Sequence, residues 1–524
     1  MAEKNSWEYE ILTKEKNKEQ EQGTGFAKRT DFKWLGIGVA IFLGLIIMPT
    51  PESMISHAEA VYEGMTADQQ NIISAEKIAK NIQVIIALLG MCVVFFATEA
   101  IPLPAVALSI GLIQLFFGVT EPTKIVSTYA HDAVWFIAGS LALGATFIKY
   151  GIDKRIGMLV INAAGTNIRR IIIGLLLGTS LPAAFIGEHA VAGMYLPIAI
   201  ALYTLMDKES PCPRLGKLLT ITIAFGCMMG GPMSPTGGAR NAIMIGFLSD
   251  VGVDVSFVQW LSMGVCYTVL MVLSMSFILP ILFKPEVSDL TKAVTVLKMD
   301  LQKHGKMTRQ QWMVVVVMAL VIFLWITEKS LVKSIFGFSL GLGGIAITGA
   351  VIYMLLGLTT WKDYEEGISW GVVVLYAGAI SLGSVFKATG AAGWLANSIM
   401  TIVAPLGMNS GLPLVILVVF IGASLTNLMS AGATVAVIGP VMLSMAEASG
   451  TNPLVIGIVL AISTSAAFWL VIGTPASSIV YSSGLLESKD FIRGGTLAWP
   501  VALIAIVVMV IFYWIPVLGI DLNI

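Results

Sequence analysis

Histidine and cysteine are scarce in this chain: four His (His57, His131, His189, His304) and four Cys (Cys92, Cys212, Cys227, Cys266) occur in 524 residues. They supply no zinc set, so no resident metal and no cofactor is expected. The cysteines lie in or near apolar runs and read as small buried hydrophobes. A nucleotide-binding glycine loop is missing, which argues against a nucleotide-driven pump. With no nucleophile and base clustered in an apolar segment, an intramembrane hydrolase is disfavoured and the chain reads as a non-enzyme. Charge is thin as well: charged residues make up 12%, the formal net charge is −1, and no nucleic-acid partner is expected. Apolar residues are what the chain has in plenty. They reach 56%, with a mean hydropathy of +0.87, so the fold is predicted to be all-α and polytopic, with the lipid bilayer as solvent.

Residues 171–204 (IIIGLLLGTSLPAAFIGEHAVAGMYLPIAIALYT) set Glu188 and His189 midway between two apolar arms of about sixteen residues. Spanning a bilayer takes roughly 20 apolar residues, so the arms are predicted to form a re-entrant hairpin. Residues 412–447 repeat the design, with Thr426, Asn427 and Ser430 at the turn. Irregular backbone at membrane depth is tolerated only where it is buried in protein or lines a watery cavity. Two such turns predict a binding site at mid-bilayer, and hence a transporter rather than a channel.

Eleven further apolar segments, near 34–49, 82–97, 103–119, 133–148, 216–247, 256–283, 312–326, 335–358, 369–386, 453–484 and 494–516, are predicted to span. If the N-terminus is cytosolic, the inside segments hold 24 Lys and Arg and the outside segments five, with Lys387 at a span edge and Arg240 within the membrane. That split predicts a plasma-membrane protein with its N-terminus in the cytosol and its C-terminus outside. It puts the first hairpin's ends inside and the second's outside. The Glu/Lys/Gln-rich residues 1–33 are predicted to be a cytosolic polar tail.

Residues 138–157 and 377–396 align without gaps at an offset of 239, pairing Ala138 with Ala377, Gly139 with Gly378, Leu143 with Leu382, Gly144 with Gly383, Phe147 with Phe386 and Gly151 with Gly390. The hairpin turns follow at an offset of 243, and TGGARNAI (236–243) then corresponds to GTPASSIV (473–480). In the topology above, the first copy begins outside and the second inside, which makes them inverted repeats. The third pair interrupts long apolar runs with Gly230, Gly231, Pro232, Pro235, Gly237 and Gly238, and with Gly473, Thr474 and Pro475. Unwinding there frees N–H groups for anions and carbonyls for cations.

This duplicated order of Gly-rich helix, polar-tipped hairpin and broken helix, together with ATEAIPLPAVAL at 97–108 and WKDYEEGISWGVVVLYAGAISLG at 361–383, resembles the divalent anion/sodium symporter family of dicarboxylate, citrate and sulfate carriers. The likeness runs from about 80 to 520. It implies a homodimer working as an elevator, in which a transport domain carrying both hairpins slides against a fixed scaffold. The scaffold would be residues 34–132 and 256–358. The transport elements would be 133–247 (hairpin 171–204, broken helix 216–247) and 369–484 (hairpin 412–447, broken helix 453–484), with a last helix in 494–524. The implied substrate is a C4 or C5 dicarboxylate such as succinate, malate, fumarate or 2-oxoglutarate, with citrate or tartrate as alternatives.

In the family each turn usually reads Ser-Asn-Thr. Here the first reads Gly187, Glu188, His189 and the second Ser430, Ala431, Gly432, with Thr426 and Thr434 beside it. The family's Gly-Thr-Pro-Pro-Asn becomes Gly237, Gly238, Ala239, Arg240, Asn241 in one broken helix and Gly473, Thr474, Pro475, Ala476, Ser477 in the other. By this correspondence the candidate substrate-binding residues are Gly187, Glu188, His189, Arg240, Asn241, Thr426, Ser430, Ala431, Gly432, Thr434, Thr474, Pro475 and Ser477. The first turn has lost the oxygens that a sodium site needs and gained a guanidinium beside it. Arg240, assisted by His189 when protonated, is predicted to replace the dissolved cation. An uncompensated Arg at mid-membrane costs several kcal/mol, a dianion would offset it, and the carrier is therefore predicted to exchange one dicarboxylate for another. Glu188 leaves alternatives open: pairing with Arg240, proton symport, or retained sodium coupling. Tyr195, Trp469 and Tyr481 read as packing or interfacial aromatics. Lys149, Asp153, Lys154 and Arg155 read as a solvated, lipid-facing cluster on a surface helix.

Overall fold

In hydrocarbon every backbone N–H and C=O must bond within its own segment, so a chain this apolar is driven into helices. The computed structural model describes residues 30–295 and 306–523, and all but the last four residues of the expected 1–33 tail lie outside that range, as do the side chains of Asp153 and Lys154. Among the described residues the fold is helical, with two isolated β-bridges.

Two helices, α1 (Phe32–Ile47) and α2 (Glu52–Glu63), meet at 69° ahead of the repeats. The first repeat follows as α3 (Ala75–Thr98), α4 (Leu103–Phe116), α5 (Pro122–Tyr129), α6 (Asp132–Lys149), α7 (Ile152–Ala164), α8 (Ile168–Ile186), α9 (Glu188–Asp207), α10 (Pro213–Gly230), α11 (Ala239–Asp250) and α12 (Phe257–Leu282). The second has the same order: α13 (Arg309–Thr327), α14 (Gly341–Leu355), α15 (Trp361–Gly367), α16 (Trp370–Ala388), α17 (Ala391–Val403), α18 (Gly411–Leu425), α19 (Ala431–Ser449), α20 (Pro453–Ser463), α21 (Pro475–Ser482) and α22 (Ser488–Met509). The duplication seen over 138–157 thus extends over ten helices in each repeat. The aligned Gly151 and Gly390 each start a 13-residue helix from a left-handed conformation, φ 64° and 79°, where a side chain would be strained.

Polar loops sort into two sets that bond only among themselves. One set joins Asp31 to Ala100, Lys149 to Asp363, Arg214 to Glu286 and Lys217 to Asp490. The other joins His57 to Gly390, Lys329 to Asp254, Lys387 to Asp250 and Asn452 to Leu522. These sets mark the two faces of the molecule. Between them run α1, α3, α4, α6, α10–α11, α12, α13, α14, α16, α20–α21 and α22, matching the eleven expected crossings.

The hairpins are re-entrant by the same criterion. The first hairpin's entry bonds to the segment after α12 (Ile168 N–H to Ser288 O, Leu290 N–H to Thr166 O), and its exit reaches that segment through the Lys292–Glu209 ion pair. For the second, the Thr451 hydroxyl accepts from Gly411 N–H at the entry, and Asn452 at the exit donates to Leu522 and Asp521 carbonyls. Each repeat's last segment therefore returns to clamp the mouth of its own hairpin.

Three expectations are corrected. The first hairpin's arms are 19 and 20 residues long, not about sixteen, because polar termini capped by Asn167 extend the helices, so length alone does not forbid a crossing. The second broken helix unwinds at Thr464, not at Gly473, giving a long irregular stretch before α21. The Lys149 cluster is tied down rather than simply solvated: Lys149 donates to Leu358 O and Asp363, and Arg155 to Lys306 O.

Candidate functional site

Two breaks and two hairpin tips make the site. At the first tip a lone Gly187, φ 89°, separates α8 from α9, and Glu188 opens α9. Across from it α10 ends at Gly230, two 3-10 turns cover Gly231–Met233 and Pro235–Gly237, and α11 starts at Ala239. Ser234 and Thr236 hydroxyls donate to Ala184 O on α8, which locks the break onto the hairpin. The amide of Asn241 folds back to Gly231 O and Ser234 O at 2.9 and 2.7 Å, satisfying carbonyls that the break freed.

Within this frame Arg240 Nη2 donates to Glu188 Oε1 at 2.6 Å. Both residues are buried, at 3% and 7% exposure. Room for the pair comes from Gly231, where any side chain would collide with Glu188 Oε1 and Arg240 Nη2. Four buried side-chain atoms lack a hydrogen-bond partner among the described residues, and two of them, Arg240 Nε and Asn241 Oδ1, are here. Buried donors and acceptors are nearly always satisfied in a resting protein, so an unpartnered guanidinium N–H and an unpartnered amide oxygen on consecutive residues mark a place prepared for a ligand. His189 next along α9 is exposed and stands outside the ion pair.

The second tip carries no charge. Thr426 donates to Thr464 O at 2.7 Å, and Asn427 donates to Ala423 O and Ala466 O while accepting from Trp469 N–H. Ser430 accepts from Ala433 N–H and so caps α19; Thr434 donates back to Ser430 O. The tip meets the charged half through Gly432, which lies against Ala239 and the Tyr376 ring. Packing of α11 on α19 and of α9 on α21 interlocks the repeats around this point.

Of the sequence candidates, the structure brings together Gly187, Glu188, Arg240, Asn241 and Gly432, with Ser430 and Ala431 on the same turn. Thr426 and Thr434 are consumed in holding that turn. Thr474 and Ser477 hydroxyls pair with each other at 3.1 Å and cap α21, Ser477 reaches Met228, and Pro475 is exposed. Tyr376 and the Tyr267–Ser465 hydroxyl pair were missed, since a tyrosine in an apolar helix carries no positional signal. Asn427, noted as a turn residue, proves to be the main tie between hairpin and break. Trp469 stacks on Trp499 and Tyr481 lies edge-on to Phe491, as packing aromatics do. Among the described residues no group of three His, Cys, Asp or Glu is placed to hold a metal ion.

The family model for the sodium:sulfate symporter transmembrane region matches residues 72–520. The sodium-dependent dicarboxylate transporter SdcS of Staphylococcus saprophyticus is 27% identical over 448 residues, 82% of this chain and 85% of that protein. Its counterpart in Staphylococcus aureus is 25% identical over 452 residues. Among solved structures, the YdaH transporter of Alcanivorax borkumensis superposes with a TM-score of 0.53 at 15% identity, covering 77% of this chain and 89% of that one. MtrF of Neisseria gonorrhoeae gives 0.52, also at 15% identity, over 79% and 85%. These two share the fold.

Proposed function

Since this chain belongs to the sodium:sulfate symporter family, we propose that it is a secondary transporter of C4 and C5 dicarboxylates that works without sodium and mainly by exchange. The carrying observation is the buried Arg240, with Nη2 on Glu188 of the first hairpin tip and Nε unpartnered, following Ala239, which lies against Gly432 of the second tip. A guanidinium offers a planar fork that fits a carboxylate and stays charged at every working pH. One carboxylate engages Arg240; the other lies toward Ser430 and Gly432, at the positive N-terminus of α19.

Independence from sodium is supported by the breaks themselves. Gly231 O and Ser234 O are taken by Asn241, Thr464 O by Thr426 and Ala466 O by Asn427, so four of the backbone oxygens that would turn to a cation already accept side-chain donors, while the side-chain oxygen of Asn241 stays open. Exchange is favoured because Glu188 neutralises Arg240 in the empty site but leaves the buried Nε without a partner, a donor that a bound carboxylate takes up, so an empty return is slowed rather than forbidden. On the same reading the carrier is a homodimer with an elevator motion, which the family resemblance supports, and has its N-terminus in the cytosol and its C-terminus outside, which the 24-to-5 distribution of Lys and Arg supports.

A second reading, sodium-coupled symport, is favoured by the names of the SdcS relatives. Counterflow in proteoliposomes separates the two. Labelled succinate should enter succinate-loaded vesicles several-fold faster than empty ones, equally in sodium and in choline. Equal rates in loaded and empty vesicles, or uptake that rises with sodium, overturn the proposal.

A further inference from the structure

We propose that Glu188 binds one proton for each dicarboxylate the site takes up, so that net uptake is coupled to protons; this rests on the dicarboxylate reading above. Glu188 and an incoming carboxylate compete for the same guanidinium. In the resting site Glu188 Oε1 holds Arg240 Nη2 at 2.6 Å with both side chains buried. A substrate carboxylate that takes over Arg240 leaves Glu188 as a second buried anion beside a dianion. Isolated charges in such surroundings cost many kcal/mol, and neutralisation by a proton is the cheapest relief. The proton comes from the water on the side where substrate enters and binds a Glu188 carboxylate oxygen. When substrate leaves on the other side, Arg240 returns to Glu188 and the proton departs there.

Glu188 is the group in direct competition with substrate for Arg240. His189 on α9 is exposed and outside the ion pair, so the change of partner at Arg240 does not strand it as a buried charge. The Cys227 thiol on α10 and the Tyr267 and Tyr376 phenols on α12 and α16 belong to classes that are uncharged at neutral pH, and Tyr267 is bonded to Ser465. Arg240 on α11 is the one other charge. Glu328 and Asp490, the other buried carboxylates among the described residues, sit at helix ends, hydrogen-bonded to Ser339 and paired with Lys217. The site's charge is zero when empty, +1 and −1, and −1 when loaded, from Arg240, protonated Glu188 and a dianion. Net uptake therefore moves one proton and one negative charge per dicarboxylate, whereas one-for-one exchange moves neither.

Wild-type proteoliposomes containing a pH-sensitive dye and given an inward succinate gradient, with potassium and valinomycin to clamp the potential, should acidify by one proton per succinate taken up. Succinate uptake without acidification overturns the proposal and leaves the dicarboxylate reading intact; an absence of succinate transport and binding overturns both. Infrared difference spectra of succinate binding assign the proton without any need for turnover. A protonated-carboxyl band should appear in the wild type and be missing in Glu188→Gln, and a band that persists in the variant overturns the assignment to Glu188.

Discussion

The two hairpin tips occupy equivalent places in the two repeats, yet they solve different problems. The first holds a charge pair with unused hydrogen-bonding capacity; the second spends its hydroxyls and amide on tying irregular backbone together. Symmetry of fold thus fixes where irregular backbone lies, and side chains decide whether it binds or braces. The contrast also explains how an Arg survives at this depth: its counter-ion is one hydrogen bond away, and both side chains are buried.

Breaking the charged half should have the largest effect. Arg240→Ala removes a charge-assisted bond to substrate and should lower transport by roughly 100-fold or more. It also strands Glu188 and should destabilise the fold by about 3–5 kcal/mol, seen as a lower thermal midpoint in detergent. The double variant Arg240→Gln with Glu188→Gln should recover most of that midpoint without recovering transport; retained transport in either would remove Arg240 from the site. An intermediate effect belongs to the braced half. Asn427→Ala orphans Ala466 O and Trp469 N–H, at about 1–3 kcal/mol, and should raise KM and lower kcat together because the tip loses its shape rather than its ligand contact. Thr426→Val, which loses one neutral bond worth about 1 kcal/mol, should be the mildest, with transport within a few-fold of wild type. A Thr426→Val effect as large as that of Arg240→Ala would mean that the second tip binds rather than braces.

The loop network offers a control for pH. A hydrogen bond from Lys149, with others from Thr360, holds the Asp363 carboxyl down at about 2. Its stabilising contribution is complete above the ordinary carboxylate range and is lost only as pH falls toward 2. A change in transport between pH 5 and 8 therefore does not originate there.

Much of this was legible from sequence because it depends on composition and spacing. Apolar run lengths gave the crossings, the Gly151/Gly390 register gave the repeat, and Gly with Pro flagged the first break. The second break was misplaced since Thr464 to Trp469 contains no Gly or Pro; what unwinds it is tertiary, the donors from Thr426 and Asn427 claiming its carbonyls. Arg240 stood out as the one basic residue inside a span, but its partner stayed undecided, because Glu188 is 52 positions away and no local rule couples them. Which hydroxyls would be spent on the fold was not readable either, as Thr474 and Ser477 satisfy each other.

Gly231 sets an order on how this site can diverge. Its bare α-carbon is the space the ion pair fills, so a descendant protein can discard Glu188 and Arg240 while retaining the glycine. Acquiring a side chain at 231 first would force the ends of both charged side chains to shift. Homologues with a larger residue at this position are thus expected to have lost or repositioned the arginine.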